Sequence, residues 1–425
     1  MKYTEMSEEA RSAEYQALCE TYETLKKRGY KLDMSRGKPG AEQLNLTRGM
    51  LGILKEPEEC YAEDGTDCRN YGVLDGIPEA KAMFGELMGI PAKNIFVGGN
   101  SSLCLMFDTI ARAMLHGVLG STPWSKLPEV KFLCPTPGYD RHFAICESMG
   151  ITMIPVEMTP TGPDMDTVER LVSSDEAVKG IWCVPKYSNP EGVTYSDETV
   201  RRFARLRPAA ADFRIFWDNA YAVHDLYDKG DELLNLFMEA QAVGNPDIVI
   251  EFASTSKISF PGSGVAILAA SDRNLAAIKE LTAYQTIGYD KLNQLRHVRY
   301  FKNAAGILEH MKRHAAILRP KFEIVLNAFD KELRPRGVGD WIRPNGGYFI
   351  ALNLPDGCAK RTYQLVSECG VKLTKVGAAF PYGIDPRDRT LRIAPTNPAN
   401  DDLAKAVEVL CVCARMAALE KLQNG

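Results

Sequence analysis

Short apolar runs alternate with helical patterns of hydrophobic residues between Asn94 and Ala270. The runs have the length and the apolar content of buried strands, whereas the intervening stretches have the longer period of helices. Seven such runs occur, centred on residues 95–97, 130–134, 152–156, 181–184, 213–217, 248–252 and 265–269. This alternation predicts an α/β fold with a mostly parallel seven-stranded sheet between helices.

Helical patterns dominate both sides of this alternating region. The first thirty residues predict one helix, which begins after Ser7 as its cap and ends at Gly29. Residues 274–330 predict a long helical stretch that is broken near Gly288. From residue 341 onward, short apolar runs followed by an amphipathic helix predict a smaller α+β unit.

Composition and charge exclude several classes of protein. The 425 residues are 45% hydrophobic and 25% charged, which is typical of a globular chain large enough for two domains. The net charge of -4 and the absence of dense Lys/Arg blocks argue against a nucleic-acid partner. The N-terminus lacks the apolar core of a signal peptide, and no run could span a bilayer. We therefore expect a cytoplasmic protein with no membrane partner.

The cysteines do not form a recognisable metal or disulfide pattern. There are eleven, an odd number, scattered mostly among apolar residues, and only six histidines accompany them. No Cys-x-x-Cys pair occurs. We expect reduced thiols in the core and no metal site.

Five of the predicted strands end in polar clusters, at the edge where α/β sheets usually bind ligands. Residues 98–102 form a Gly/Ser-rich turn that opens a helix, which suits a phosphate group, although an ordinary capped helix has the same pattern. Residues 135–142 contain Tyr139, which could stack on a flat ring or simply pack. The remaining clusters are 185–192, 218–221 and 254–257.

Lys257 is the most informative residue of these clusters. It follows a buried run and the hydroxyl-rich turn 254–256. A lysine that loses solvation there has a lowered pKa and can form a Schiff base, whereas a solvated loop lysine is the alternative. Asp218 directly follows another buried run, where a carboxylate needs a partner unless it is exposed. Together with Tyr139 and the phosphate turn, these residues fit a ring cofactor with a phosphate, a ring nitrogen and an aldehyde.

At these positions the chain resembles the aminotransferases of fold type I (class I/II), which depend on pyridoxal 5'-phosphate (PLP). The landmarks run in family order over most of the chain: Tyr71…Gly76, Gly98-Gly99-Asn100, Tyr139, Asn189-Pro190-Glu191-Gly192, Asp218-x-x-Tyr221, Ser254-x-Ser256-Lys257 and Arg392. Segments 35–40 and 137–142 resemble a bacterial subgroup that includes aspartate aminotransferases and is related to the aminotransferase domains of MocR-type proteins.

The resemblance implies that Lys257 binds PLP as a Schiff base and then moves the substrate proton. Asp218 would pair with the ring nitrogen, and His142 would support Asp218 from behind. Asn189 and Tyr221 would hydrogen-bond the phenolic oxygen of the ring. The ring and phosphate would also be held by Tyr139, Gly99, Asn100, Ser101, Ser254 and Ser256.

The chain departs from many relatives just after the lysine. They carry an arginine there that binds the phosphate, but residues 258–264 contain none. Phosphate binding would then rest on hydroxyl groups, backbone amides and the helix dipole. The resemblance further implies that Tyr71 reaches the phosphate of a neighbouring subunit, so we expect a homodimer with shared active sites.

Substrate recognition in this family depends on arginines. Arg392 would bind the α-carboxylate as a bidentate fork, although a surface salt bridge is the alternative. A dicarboxylate needs a second cation, for which we favour Arg36, because its loop with Ser35 and Gly37 aligns with the segment that covers the substrate. The other candidates are Lys38 and Arg141, and all three could instead be solvated loop residues.

We therefore expect an aspartate aminotransferase that exchanges an amino group between L-aspartate and 2-oxoglutarate by a ping-pong reaction. The expected domains are residues 1–50, an N-terminal helix and substrate-covering loop that associates with the small domain; 51–305, the large PLP-binding domain; and 306–425, the small C-terminal domain.

Other functions remain open at the level of sequence. Another amino donor (alanine or an aromatic amino acid) or a PLP-dependent β-lyase would use the same residues. A PLP-binding transcription regulator needs a winged-helix domain, and only a short helix precedes Arg36. A nucleotide-binding α/β protein would lack its Gly-x-Gly-x-x-Gly turn and would leave Lys257 and Asp218 unexplained.

Overall fold

A computed structural model describes residues 1–424 of the chain. The α-helices in this range are α1 Glu8–Lys27, α2 Ala41–Leu46, α3 Pro78–Met88, α4 Ser102–His116, α5 Asp140–Ser148, α6 Met165–Ser174, α7 Asp197–Ala204, α8 Leu236–Ala242, α9 Asp272–Thr282, α10 Lys291–Phe301, α11 Ala304–Glu332, α12 Ala359–Glu368 and α13 Asn400–Asn424. The strands are β1 Leu32–Asp33, β2 Ile95–Val97, β3 Lys131–Thr136, β4 Thr152–Thr159, β5 Gly162–Pro163, β6 Val178–Cys183, β7 Arg214–Asp218, β8 Val249–Ser254, β9 Ala266–Ala270, β10 Ile350–Asn353, β11 Val371–Lys372 and β12 Thr390–Ile393.

The largest sheet in the described part of the chain has eight strands in the order β2-β9-β8-β7-β6-β3-β4-β5. The pairs β8–β7, β7–β6, β6–β3 and β3–β4 are parallel, whereas β9 is antiparallel to both of its neighbours. All seven predicted runs lie in this sheet, so the α/β fold is confirmed. The additional strand, β5, pairs antiparallel with the end of β4. Its two residues are too short for any periodic pattern, so the sequence did not predict it.

Both faces of the sheet are covered by helices, which explains why its strands are apolar throughout. Along β7 the side chains alternate between two cores. Phe216 packs with residues of α4 and α9, whereas Ile215 and Trp217 pack with residues of α6, α7 and α8. The two-residue period of a strand therefore places neighbouring large side chains in opposite layers.

The N-terminal helix shares a core with the C-terminal part of the chain. Leu18, Tyr22 and Leu25 of α1 are buried with residues of α11, α12 and α13. As predicted, Ser7 caps α1, with its Oγ accepting from the amide of Ala10, and Gly29 follows the helix with a positive φ. The predicted domain boundaries stay a prediction.

The helical stretch predicted for residues 274–330 is three helices, α9, α10 and α11. One break contains Gly288, as predicted, and a second lies at Lys302 and Asn303. Lys302 has a φ of 69°, and the Asn303 side chain caps α11 by accepting from the Gly306 amide at 2.9 Å. This second break was missed because the apolar pattern continues across it.

All eleven cysteines are free thiols, and Cys104 is exposed rather than in the core. Among the helices of residues 1–424, none combines the length and the apolar character needed to cross a membrane.

Candidate active site

The polar ends of β3, β6, β7 and β8 meet at one cavity that is open to solvent, with about 740 Å³ of empty space including its mouth. Parallel strands bring their carboxyl ends to the same edge of a sheet, which is why clusters far apart in sequence converge here. The lining residues are Gly37, Ser101, Ser102, Leu103, Met106, Tyr139, Val184, Asn189, Asp218, Ala220, Tyr221, Ser254, Ser256, Lys257 and Phe349.

Lys257 lies in the cavity wall, on a turn that is tightly hydrogen-bonded. Thr255 bonds Val265 through both its amide and its hydroxyl, at 2.9 Å each, and it also contacts His297. The Lys257 amine lies 5.1 Å from the centre of the Tyr221 ring. Burial lowers the pKa of this amine, and the charge of Asp218 partly opposes that effect. The amine is therefore neutral more often than that of an exposed lysine.

Asp218, the last residue of β7, is held in place by His142. The Nε2 atom of His142 lies 3.0 Å from Asp218 Oδ2, and the imidazole is stacked on Trp182 at 4.3 Å. Asp218 is only 2% exposed, and its Oδ1 atom is buried with no hydrogen-bond partner in the described chain. A buried carboxylate oxygen is stable only with a donor, so the cavity suits a ligand that presents an N–H to Asp218.

Three further predicted residues line the same cavity. Tyr139 precedes α5, contacts the His142 ring edge-on, and has its pKa raised to about 12 by burial. Tyr221 is buried, and burial raises the pKa of its phenol well above the usual value. Asn189 is also buried and presents its amide to the cavity. The phenols are thus neutral donors at neutral pH.

Hydroxyl groups gather at the end of the cavity near the N-terminus of α4. Ser101, Ser102, Ser254 and Ser256 line this end, and Ser254 Oγ donates to Ser256 Oγ at 3.1 Å. Asn100 contributes its carbonyl, which Ser256 contacts at 3.4 Å, rather than its exposed side chain. Hydroxyls beside a helix N-terminus form a site suited to phosphate.

Gly99 lies next to the serine hydroxyls at the N-terminus of α4 but does not line the cavity. Its carbonyl accepts from the Ala266 amide at 2.8 Å, which joins the turn after β2 to β9. Gly99 therefore contributes to the site by fixing the position of the backbone that leads to Ser101, not through a contact in the cavity.

Arg392 reaches the site from the C-terminal part of the chain. It lies on β12 opposite Ala351, and its side chain is 9% exposed. The guanidinium lies over the Phe349 ring at 5.0 Å, and its Nη1 atom donates to Asp140 Oδ1 at 2.9 Å. This partly exposed ion pair holds the Arg392 guanidinium beside Phe349, which lines the cavity.

The loop of residues 34–38 covers the cavity. The Ser35 carbonyl accepts from Thr374 at 2.7 Å, and the Met34 carbonyl accepts from the Ala394 amide at 3.1 Å. Gly37 lines the cavity where a Cβ atom would meet the Phe349 ring closer than van der Waals contact allows. A larger residue here would have to push the Phe349 ring aside.

Several predicted residues do not come to this cavity. The Arg36 side chain is exposed, as are those of Lys38 and Arg141. Tyr71 is 82% exposed and lines a separate surface depression with Tyr289.

Sequence reasoning missed residues that only the tertiary structure brings to the site. Phe349 forms a wall between Arg392 and the cavity, Asp140 pairs with Arg392, and Trp182 supports His142. Ser102 was named only as part of the helix start. The hydrophobic run 347–353 carried no local sign that Phe349 faces a ligand.

Comparisons with known proteins agree with this geometry. A family model described as aspartate amino-transferase matches residues 6–425. A relative from Mycolicibacterium smegmatis is 46% identical over 424 residues, which are 99% of each chain. An aspartate aminotransferase of Corynebacterium glutamicum is 43% identical over 95% of this chain and 93% of its own. The crystal structure of an aspartate transaminase from C. glutamicum has a TM-score of 0.96 at 41% identity and covers 99% of both chains.

Proposed function

The chain belongs to the aspartate amino-transferase family, PLP-dependent enzymes of fold type I, and we propose that it transfers the amino group between L-aspartate and 2-oxoglutarate. The observation that carries this proposal is the shared cavity of Lys257 and the His142-supported carboxylate of Asp218. Similarity to aspartate aminotransferases over nearly the whole chain supports aspartate as the amino donor.

The chemistry of the cavity fits PLP. It has serine hydroxyls at a helix N-terminus for the phosphate, Tyr139 as a ring platform, and an unpartnered Asp218 oxygen for the ring nitrogen. When bound, PLP supplies an aldehyde and an electron-withdrawing ring that stabilises negative charge at the substrate Cα. No arginine lines this cavity among residues 1–424, so the phosphate would depend on hydroxyls and backbone amides.

Each nearby residue has a defined task in this proposal. Lys257 Nζ binds the cofactor and takes the proton from the substrate Cα, and its lowered pKa favours the neutral amine that can do so. Asp218 keeps a proton on the ring nitrogen, and His142 orients it. Asn189 and Tyr221 donate to the phenolic oxygen of the ring. Arg392 binds the substrate α-carboxylate, with Asp140 holding the guanidinium in place beforehand.

The ping-pong order of reaction follows because both substrates use the same pocket, so one must leave before the other binds. L-Aspartate and 2-oxoglutarate share an α-carboxylate for Arg392 and differ by one methylene in the distance to the second carboxylate. Arg36 remains our candidate for that second carboxylate, because it directly precedes Gly37 in the cavity wall.

Replacing Lys257 tests the central proposal. We expect Lys257→Ala to lose the cofactor absorption band that responds to aspartate, and to lower kcat by about 10⁴-fold or more, because both the attachment point and the base are removed. The matched control is Lys229→Ala, an exposed lysine outside the cavity. A wild-type protein that takes up no PLP would contradict the proposal, as would a Lys257→Ala variant with normal turnover.

Kinetics with two amino donors distinguish the roles of Arg392 and Arg36. We expect Arg392→Ala to lower kcat/KM by roughly 10²-fold for both aspartate and alanine, because both carry the α-carboxylate. Arg36→Ala should lower kcat/KM for aspartate and leave alanine unchanged. Equal losses for both donors in Arg36→Ala would remove Arg36 from the dicarboxylate site. Faster turnover of alanine or an aromatic amino acid by the wild type would favour a different donor.

A further inference from the structure

Five of the six histidines of the chain are buried, and three of them lie behind the turn that carries Lys257. These three are His297 on α10 and His310 and His314 on α11, each at most 1% exposed. The proposed reaction uses none of them. Because a buried imidazole needs partners for its ring nitrogens, the contacts of these rings show what they hold in place.

His297 contacts a hydroxyl group on each side of Lys257. Its Nε2 atom lies 2.7 Å from Ser259 Oγ and 3.1 Å from Thr255 Oγ1. Its Nδ1 atom lies 2.7 Å from the Asn293 carbonyl, which only accepts, so the ring proton is on Nδ1. Burial lowers the pKa of His297 to about 4, so the ring is neutral at neutral pH and Nε2 accepts from the two hydroxyl groups. His297 therefore ties both flanks of Lys257 to α10.

His310 holds the backbone that follows Lys257. Its Nδ1 atom lies 2.8 Å from Arg313 Nη2, which can only donate, so the ring proton of His310 is on Nε2. That Nε2 atom donates to the Ile258 carbonyl at 3.0 Å. His314 packs against His310, with ring centres 4.7 Å apart, and helps to bury this contact. The residue directly after the lysine is therefore tied to α11.

The position of the Lys257 amine depends on this turn. The amine lies 5.1 Å from the centre of the Tyr221 ring and 6.0 Å from that of the Tyr348 ring. A ring face attracts a cation without fixing one direction, whereas hydrogen bonds are directional. The directional contacts are in the backbone and hydroxyl groups of the turn, where the Ile258 and Ser259 amides both donate to the Thr255 carbonyl, at 2.9 and 2.8 Å.

We propose that His297 and His310 are positioning residues for Lys257, a role that rests on the proposed function. They hold the turn from two helices, so that the amine meets the substrate Cα in the geometry that proton transfer requires. Neither histidine lines the Lys257 cavity, so both act through the turn. A displacement of a reacting group by about 1 Å costs on the order of 10²-fold in rate, so small movements of this turn matter.

Hydrogen exchange of residues 253–265, followed by mass spectrometry, tests the turn without relying on activity. His297→Leu and His310→Leu remove the polar contacts, and we expect exchange of this segment, relative to that of β7, to be about tenfold faster with and without PLP. Leu275→Ala on α9 is the control for general loss of stability, because Leu275 is buried in a different part of the core. It should leave the relative exchange unchanged. Unchanged relative exchange in both histidine variants would overturn the proposal.

Single turnover of the PLP-loaded protein with aspartate tests the effect on Lys257. We expect His297→Leu to lower the rate by roughly 10- to 100-fold and to leave KM within about threefold, because Arg392 remains in place. His297→Gln should restore the rate to within about threefold of wild type, because its Oε1 atom can accept from the same hydroxyl groups. A normal rate in His297→Leu, or equal losses in the Leu and Gln variants, would overturn the proposal.

Ser259→Ala serves if His297→Leu does not fold, because it removes the same contact from the other side. It should give faster relative exchange and a rate lowered by about threefold or more. Wild-type values for both measurements would overturn the proposal. A wild-type protein that takes up no PLP would instead contradict the proposed function, so the two failures are distinguishable.

Discussion

Asp218 and Glu251 lie on adjacent strands, but their carboxylates have different surroundings. Asp218 is paired in register with Phe252, and Glu251 with Trp217, so the two acids point to opposite faces of the sheet. Asp218 has His142 as a partner, whereas Glu251 has only the Asn219 amide at 3.1 Å. Burial raises the pKa of Glu251 to about 7. The run 248–252 predicted a buried strand, but the sequence did not indicate that burial raises the pKa of its glutamate to about 7.

Replacing Glu251 with Gln tests this titration. Below pH 4.5 the residue is protonated in both the folded and the unfolded chain, so it has no effect on the pH dependence of stability. Between pH 4.5 and about 7, Glu251 is ionised in the unfolded chain but still mostly protonated in the folded protein. The free energy of unfolding of the wild type therefore falls as the pH rises through this range. Glu251→Gln should therefore gain stability above pH 7, on the order of 3 kcal/mol at most, with little gain at pH 4.5.

Thermal and urea unfolding between pH 4.5 and 8.5 would measure the difference in the free energy of unfolding. The matched control is Glu280→Gln on the exposed side of α9. A pH-independent difference between Glu251→Gln and wild type would show that Glu251 does not titrate in this range.

At the scale of elements, most of the secondary structure followed from local pattern. Each of the seven apolar runs is short, apolar throughout and bounded by polar or turn residues. These are the features of a strand that is buried on both faces, and each run forms a strand. The cap at Ser7 and the stop at Gly29 followed from the chemistry of helix ends. β5 and the break at Lys302 did not follow, because the first is created by pairing with β4 and the second lies within a continuous hydrophobic pattern.

The Ser7 cap has a measurable contribution to stability. Ser7→Ala removes the acceptor for the Ala10 amide at 3.2 Å, and we expect a loss of about 1 kcal/mol in the free energy of unfolding. Because α1 packs on α13, the loss should appear in the global transition. Ser12→Ala, at an exposed position inside the same helix, should be neutral or slightly stabilising. Equal effects of the two substitutions in urea unfolding would argue against the cap.

At the scale of the whole molecule, the expected homodimer is a prediction that exposed apolar side chains make testable. Tyr71 and Tyr284 are 82% and 85% exposed, and Ile287 is 61% exposed. A contiguous apolar patch, rather than single exposed side chains, is typical of contact sites between proteins. The expected homodimer, in which Tyr71 would serve the active site of the neighbouring subunit, stays a prediction.

Mixing two inactive variants tests this arrangement. If Lys257→Ala and Tyr71→Ala subunits exchange at random, half of the dimers are mixed, and each mixed dimer has one site with both native residues. We expect recovery of about one quarter of wild-type activity in a one-to-one mixture. Sedimentation of each variant, at the dimer mass, provides the control for assembly. No recovery after proven exchange would indicate that Tyr71 acts within its own chain, and normal turnover by Tyr71→Ala alone would show that it does not act at the site.

The sequence by itself determined the seven longer strands of the large sheet, the turn that carries Lys257 and the strand end that carries Asp218. These features depend on interactions between residues close together in the chain, which leave a readable pattern of apolar and polar positions. The tertiary structure decided which residues complete the active-site cavity, among them Phe349 and Gly37. Such contacts join segments distant in sequence, so their physical cause, the filling of space and the pairing of charge, leaves no local signal.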